Sequence, residues 1–152
     1  MTRLRTRIFQ SWFRFSRPKT LGVRAMLEDS EGRVLLVRHT YTSGLFLPGG
    51  GVEKGERVEV SLHRELVEEA GATLTGKPHL VGIYSNHNVF PNDHVVLYRI
   101  GADLWSVTEP TSRGEISERL WVDPLRPPDD ATPGTKRRLA EVYGDGPSDG
   151  HW

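Results

Sequence analysis

The stretch from Arg57 to Gly71 constrains this chain more than any other. Val58, Leu62, Leu66 and Ala70 recur at i, i+4, i+8 and i+12, the spacing of an apolar stripe on an α-helix. Glu65, Glu68 and Glu69 stand at i, i+3 and i+4, which puts three carboxylates on the other face with Cβ atoms about 5–6 Å apart. The pattern predicts a helix over residues 57–70, stopped by Gly71. One face is for packing. The other carries like charges that repel each other and weaken an isolated helix. A hard divalent cation offsets that repulsion well, because Mg²⁺ takes oxygen ligands and keeps waters that a phosphate can replace. The bland reading is a solvated acidic helix face, which is what most charge runs are.

The residues around this helix suit the metal reading. Gly49, Gly50 and Gly51 allow the backbone to approach a ligand closely. Arg64 sits inside the acidic cluster, where a guanidinium can pair with a carboxylate and fix its orientation. The remaining pattern mixes strands and helices without regular alternation. Strands are predicted at Val23 to Leu27 and Arg33 to Arg38, joined as a hairpin through Glu28 to Gly32. Further strands are predicted at Leu80 to Tyr84, His94 to Ile100 and Leu120 to Val122. Thr132-Pro133 opens a last helix that Gly144 closes, with Arg137 and Arg138 read as solvated. The fold class is therefore α+β, a mixed sheet with helices packed on it.

Composition narrows the choices. Twenty Lys and Arg balance twenty Asp and Glu, so no globally charged partner such as nucleic acid is indicated. The balance is uneven: residues 1–20 carry six cations and no acid, and residues 50–72 carry six Glu. The chain has no cysteine, which excludes disulfides, thiolate metal sites and cysteine nucleophiles and suits a cytoplasmic setting. No apolar run is long enough to span a bilayer. Three parts are read: a basic amphipathic segment, 1–19; one domain, 20–143; and a frayed, disordered polar tail, 144–152. The first segment could pack a helix (Leu4, Ile8, Trp12 and Phe15 near helical spacing) on the domain or on a second subunit in a homodimer, lie on a membrane or acidic partner, or act as a transit peptide.

Gly50, Glu56 and Arg64-Glu65-Leu66-Val67-Glu68-Glu69-Ala70-Gly71-Ala72 together resemble the Nudix box, with every fixed position of that family pattern present. The order of strands, the Leu47-Pro48-Gly49-Gly50 turn before the box and the Glu-rich stretch before Trp121 also resemble the family. The resemblance implies a Nudix fold, a mixed sheet sandwiched between helices in three layers (α/β/α). It implies Mg²⁺-dependent hydrolysis, with Mn²⁺ as a substitute, of a pyrophosphate bond in a nucleoside diphosphate linked to another group. It makes Glu65 and Glu69 the principal metal ligands, Glu68 the third, and Gly50 a carbonyl ligand. Glu56 and Arg64 orient the cluster. Glu65, Arg64 and Glu68 form the catalytic set, with Glu65 preferred as general base. Glu115 and Glu118 are candidates for a distal glutamate that closes the metal site or acts as base. Arg38, His39 and Tyr41, at the end of the second strand, are candidates for substrate binding.

The substrate is less legible. The downstream proline of the ADP-ribose enzymes, the tyrosine of the dinucleoside polyphosphate enzymes and the upstream coenzyme A pattern are not found. An isoprenoid diphosphate isomerase of this fold needs a cysteine that the chain lacks. The alternative from another class is a nucleotide-binding regulator without turnover. The polar stretch Asn86, His87, Asn88, Asp93 and His94 reads as a substrate loop or as a plain turn, and Trp105 and Trp121 read as core residues.

Overall fold

The computed structural model describes residues 19–152, so the predicted helix at 4–16 lies outside the described residues. The elements are β1 (Thr20–Leu27), β2 (Val34–His39), β3 (Gly49–Gly51), α1 (Val58–Glu65) continued by a π-helical turn (Leu66–Ala70), β4 (Ala72–Leu74), β5 (His79–Ser85), β6 (Asp93–Ile100), a 3₁₀ turn (Ala102–Leu104), β7 (Trp105–Val107), β8 (Ile116–Val122) and α2 (Pro133–Tyr143). A four-stranded sheet runs in the order β3-β1-β6-β5, and β2-β8 and β4-β7 form two-stranded pairs. The large sheet is mixed, because β1 pairs antiparallel with β3 but parallel with β6.

The period of two in these strands builds two cores. Val23, Ala25 and Leu27 of β1, Leu35 and Val37 of β2, and Val96, Tyr98 and Ile100 of β6 pack with Leu62 of α1 and Leu66 of its π turn. Met26, Val34, Leu36 and Leu97 point the other way and pack with Leu139 of α2. Strands buried on both faces, with one helix on each side, give the predicted α/β/α layering. The predicted stripe of α1 is the face that packs, Leu62 and Leu66 fully buried and Val58 and Ala70 partly so.

The predicted hairpin is not a ladder. A turn does close between Asp29 N–H and Arg33 O (3.0 Å), and Glu28 bridges Val34. Beyond that bridge the strands part: β1 already has a neighbour on each edge, and β2 takes β8 as its partner. The glycine stretch read as a loop forms β3, because Gly49 to Gly51 lie antiparallel to Gly22 to Arg24.

The C-terminal tail also departs from expectation. Residues 144–152 read as frayed, yet their end lies along β5. Ser85 N–H donates to Gly150 O (2.8 Å), and Trp152 N–H donates to Ser85 O (2.9 Å). An edge strand offers such unpaired groups to any segment that can reach it. The Trp152 ring then meets Tyr84 edge-on, with centroids 6.0 Å apart. Arg138, read as solvated, is only 1% exposed: it lies over the Tyr84 ring, pairs with Glu141 and faces Asp149 of the tail at 3.8 Å. A periodic pattern reports apolar faces, and a buried arginine is silent in it. Arg137 remains exposed, as read.

Arg138→Ala leaves Glu141 without its cation at a largely buried position. It should cost about 3 kcal/mol, the lower end for a broken buried pair. Urea unfolding checks this, and a change within 0.5 kcal/mol, roughly that of a surface substitution, would contradict it.

Candidate active site

The two buried acids of α1 and its π turn are Glu65, 8% exposed, and Glu69, 5% exposed. The helix begins regularly, Ser61 N–H donating to Arg57 O, and widens at Leu66, where Gly71 N–H donates to Leu66 O across five residues. Such π turns are frequent at functional sites. Arg119 of β8 holds this one from outside by donating to the Glu69 carbonyl. Gly71 ends the turn in the left-handed conformation (φ 64°).

Glu69 is held by two donors and Glu65 by one. Glu69 Oε2 accepts the Gly49 N–H at 3.0 Å, and Glu69 Oε1 lies 2.8 Å from His39 Nε2. With the ring neutral and its proton on Nε2, His39 donates and its buried Nδ1 is left without a partner. Glu65 Oε1 accepts from Arg64 Nη1 at 2.7 Å. A Cβ on Gly50 would overlap the Glu65 carboxylate and displace it from its present position, so glycine leaves room for that carboxylate against β3. Burial pushes the Glu65 carboxyl above its ordinary range; the Arg64 bond opposes that, and the Glu69 and Glu68 charges add to it.

Arg64 ties the loop to the helix. Its Nε donates to Glu56 Oε1 (3.1 Å) and its Nη2 to Glu56 Oε2 (3.2 Å) and Gly51 O (3.2 Å). The Arg64 bonds hold the Glu56 carboxyl down at about 2. Glu68 stands half-exposed, 3.5 Å from Arg64 Nη1.

These groups form one wall of a cleft of about 880 Å³. Gly50, Arg64, Glu65, Glu68 and Glu69 line it, as do His39, Tyr41 and Glu115. The structure thus brings the box acids and part of the proposed periphery to one place. Arg38 and Glu118 are not brought there: Arg38 Nε pairs with Glu118 at 2.8 Å and its Nη1 with Asp130 at 2.7 Å. Arg38 and His39 are adjacent on one strand, so their side chains leave on opposite faces. Tyr41 is 73% exposed at the rim, 5.1 Å from the His39 ring, whereas His39 is buried behind Glu69.

Two residues of this site escape a reading of the sequence. Arg119 is one. Arg24 is the other: it lines the cleft and donates from Nη1 to Leu47 O (2.9 Å) and Gly49 O (3.1 Å). Burial lowers its pKa below the ordinary guanidinium value, against the raising charges of Glu69 and Glu65. The signal for it in the sequence is a lone cation inside the apolar run Val23 to Leu27.

The donor set suits a hard divalent ion. Among the described residues no three His, Asp or Glu side chains close into a cage. Mg²⁺ does not need one, since it commonly uses one or two carboxylates and keeps its waters for substrate phosphates.

A family model for the NUDIX domain matches residues 18–142. The chain belongs to the Nudix family. An ADP-ribose pyrophosphatase of Methanocaldococcus jannaschii is 38% identical over 71 residues, 45% of this chain and 41% of that protein. A CMP-5'-(N-acetyl-N-hydroxy-3-aminopropyl)phosphonate hydrolase of Streptomyces rubellomurinus is 31% identical over 129 residues, 78% of this chain and 62% of that protein. The chain therefore spans less than two thirds of the length of either curated relative. A MutT Nudix hydrolase structure from Burkholderia pseudomallei superposes with a TM-score of 0.69 at 23% identity, covering 82% of this chain and 98% of that one. This likeness shows that the Nudix fold is shared.

The Nudix-box pair Glu56–Arg64 carries a pH signature. The folded-state pKa of Glu56 lies below its ordinary 4.5, so the pair's contribution is present above pH 4.5 and is lost as pH falls towards 2. Acid unfolding should therefore be steeper for wild type than for Glu56→Gln across that window. Equal slopes would contradict the pairing.

Proposed function

We propose that this Nudix protein hydrolyses a pyrophosphate linkage in a nucleoside diphosphate joined to another group, with Mg²⁺ held by Glu65 and Glu69. Glu68 and the Gly50 carbonyl complete that set. The observation that carries the reading is the pair of buried carboxylates on the wall of one cleft, Glu69 held by His39 and the Gly49 amide and Glu65 by Arg64. When bound, the ion neutralises phosphoryl charge and lowers the barrier to attack by water. The chain's own residues do the rest. Arg64 and Glu56 keep the Glu65 carboxylate in one orientation. His39 and the Gly49 amide do the same for Glu69. Arg24 adds to the positive charge of Arg64 on a wall that carries three glutamates, where a diphosphate comes to lie. Glu65 takes the proton from the attacking water, and Glu115 at the same cleft is the second candidate for that role. We place the protein in the cytoplasm, a reducing setting that suits a chain without cysteine.

Among the described residues no helix is long and apolar enough to cross a membrane.

Incubation with Mg²⁺ and a panel of nucleoside diphosphate conjugates should release a nucleoside monophosphate. Glu69→Gln should lower kcat by roughly a thousandfold or more with little change in unfolding midpoint, because the lost repulsion offsets the shift of the His39 proton to Nδ1 that the new amide requires. Full activity of Glu69→Gln would refute the site. Retained nucleotide binding without any turnover in wild type would instead identify a nucleotide-binding regulator.

His39→Ala should weaken Mn²⁺ binding about 10- to 100-fold by calorimetry, because it frees a ligating carboxylate from its hydrogen-bonded partner. Unchanged affinity would show that His39 only fills space.

A further inference from the structure

The cleft has a second end, away from the acids, built from parts that the reaction does not use. Trp152, Asn86, Phe90, Thr20 and Thr135 line it. Trp152 is fixed there by the tail. Its main chain bonds to Ser85, Arg137 donates to its main-chain oxygen, and its indole rests on Gly134, where a Cβ would overlap the ring. One edge of the arrangement is closed by Tyr84. The indole is thus a half-buried aromatic surface held in place at the cleft.

Asn86 stands beside it. Its Nδ2 donates to Asp93 Oδ2 at 2.8 Å, and the other Asp93 oxygen accepts from Thr20 at 2.7 Å. The acceptor–donor order of the Asn86 amide is therefore set, since the reverse would turn its oxygen towards a carboxylate. That leaves Oδ1 buried with no donor. A buried acceptor without a partner is costly, and a ligand N–H or amino group relieves the cost. Across the turn that Phe90 N–H closes onto Asn86 O, Phe90 remains 56% exposed, a second aromatic at the same cleft.

We propose that this end holds the nucleobase of the substrate, stacked on Trp152, with a donor on the base edge satisfying Asn86. The proposal rests on the reading of the cleft as a nucleoside diphosphate site and deepens it. The leaving group then lies beyond the acids, and the base is what the protein reads. The C-terminal tail becomes part of the specificity apparatus, because it alone brings the indole to the cleft. A base is favoured over a sugar or an acyl chain because a flat apolar face and an adjacent unpaired acceptor match a flat ring with a polar edge.

Calorimetry separates this from catalysis. Wild type, Trp152→Ala, Trp152→Phe and Asn86→Ala are titrated with AMP, CMP and base-free ribose 5-phosphate in the presence of Mg²⁺. At least one nucleotide should bind wild type about tenfold or more tightly than ribose 5-phosphate. Trp152→Ala should abolish that preference and leave ribose 5-phosphate binding unchanged. Trp152→Phe should retain most of it, and Asn86→Ala should reduce it. Equal affinity of wild type for all three ligands, or a preference untouched by Trp152→Ala, would overturn the inference even if the enzyme turns over its substrates. A base preference lost in Trp152→Ala, in a protein that hydrolyses nothing, would uphold the base site and sink the catalytic reading. Matching thermal midpoints across the variants show that the tail's loss of its ring has not unfolded the domain.

Discussion

Two like-charged carboxylates, Glu65 and Glu69, are buried one turn apart, and the rest of the site is arranged around that fact. Burial favours the neutral form of the Glu65 carboxyl, and its charge is kept by the Arg64 partner that opposes that effect. The chain answers locally. Arg64 meets Glu65, the Gly49 amide and His39 meet Glu69, and the lack of a side chain at Gly50 makes room. These partners orient the acids but do not cancel their repulsion, and a divalent cation is the partner that would. The helix adjusts as well. Its last turn widens, and Arg119 reaches over from β8 to hold the Glu69 carbonyl.

The layered fold makes this placement possible. Because β1, β2 and β6 bury both faces, α1 is pressed on one side and α2 on the other, and neither can drift without opening a core. The short strand β3 then delivers the glycines to the carboxylates by pairing with β1. On the opposite margin, the tail caps the end of β5 and sets an aromatic ring against the cleft. Acid wall and aromatic wall thus belong to different layers of one domain.

Much of this is legible in the chain. The stripe Val58, Leu62, Leu66, Ala70 and the acids Glu65 and Glu69 are local features of one helix, and a 3.6-residue period reports local features well. Strand partners are not local. Nothing in the alternation of Val23 to Arg38 says that β1 takes β3 and β6 while β2 takes β8, so the hairpin reading fails beyond its turn. Strand faces mislead in the same way: Arg38 and His39 group together by adjacency, yet one pairs with Glu118 and Asp130 and the other supports Glu69. Arg119 and Arg138 give no signal of their roles, because a cation's partner lies far along the chain or depends on burial, and Arg24 gives only that of a lone cation in an apolar run. The tail reads as frayed because its composition is polar, and its anchoring comes from backbone groups that composition does not reveal.

Anomalous diffraction from crystals soaked in Mn²⁺ and a non-hydrolysable nucleoside diphosphate analogue tests the central claim directly. The account predicts a Mn²⁺ peak bonded to the carboxylate oxygens of Glu65 and Glu69, at about 2.1 Å, near the distance that Mg²⁺ adopts, with phosphate oxygens on its open side. A peak bound elsewhere, or an analogue seated away from both glutamates, would contradict it.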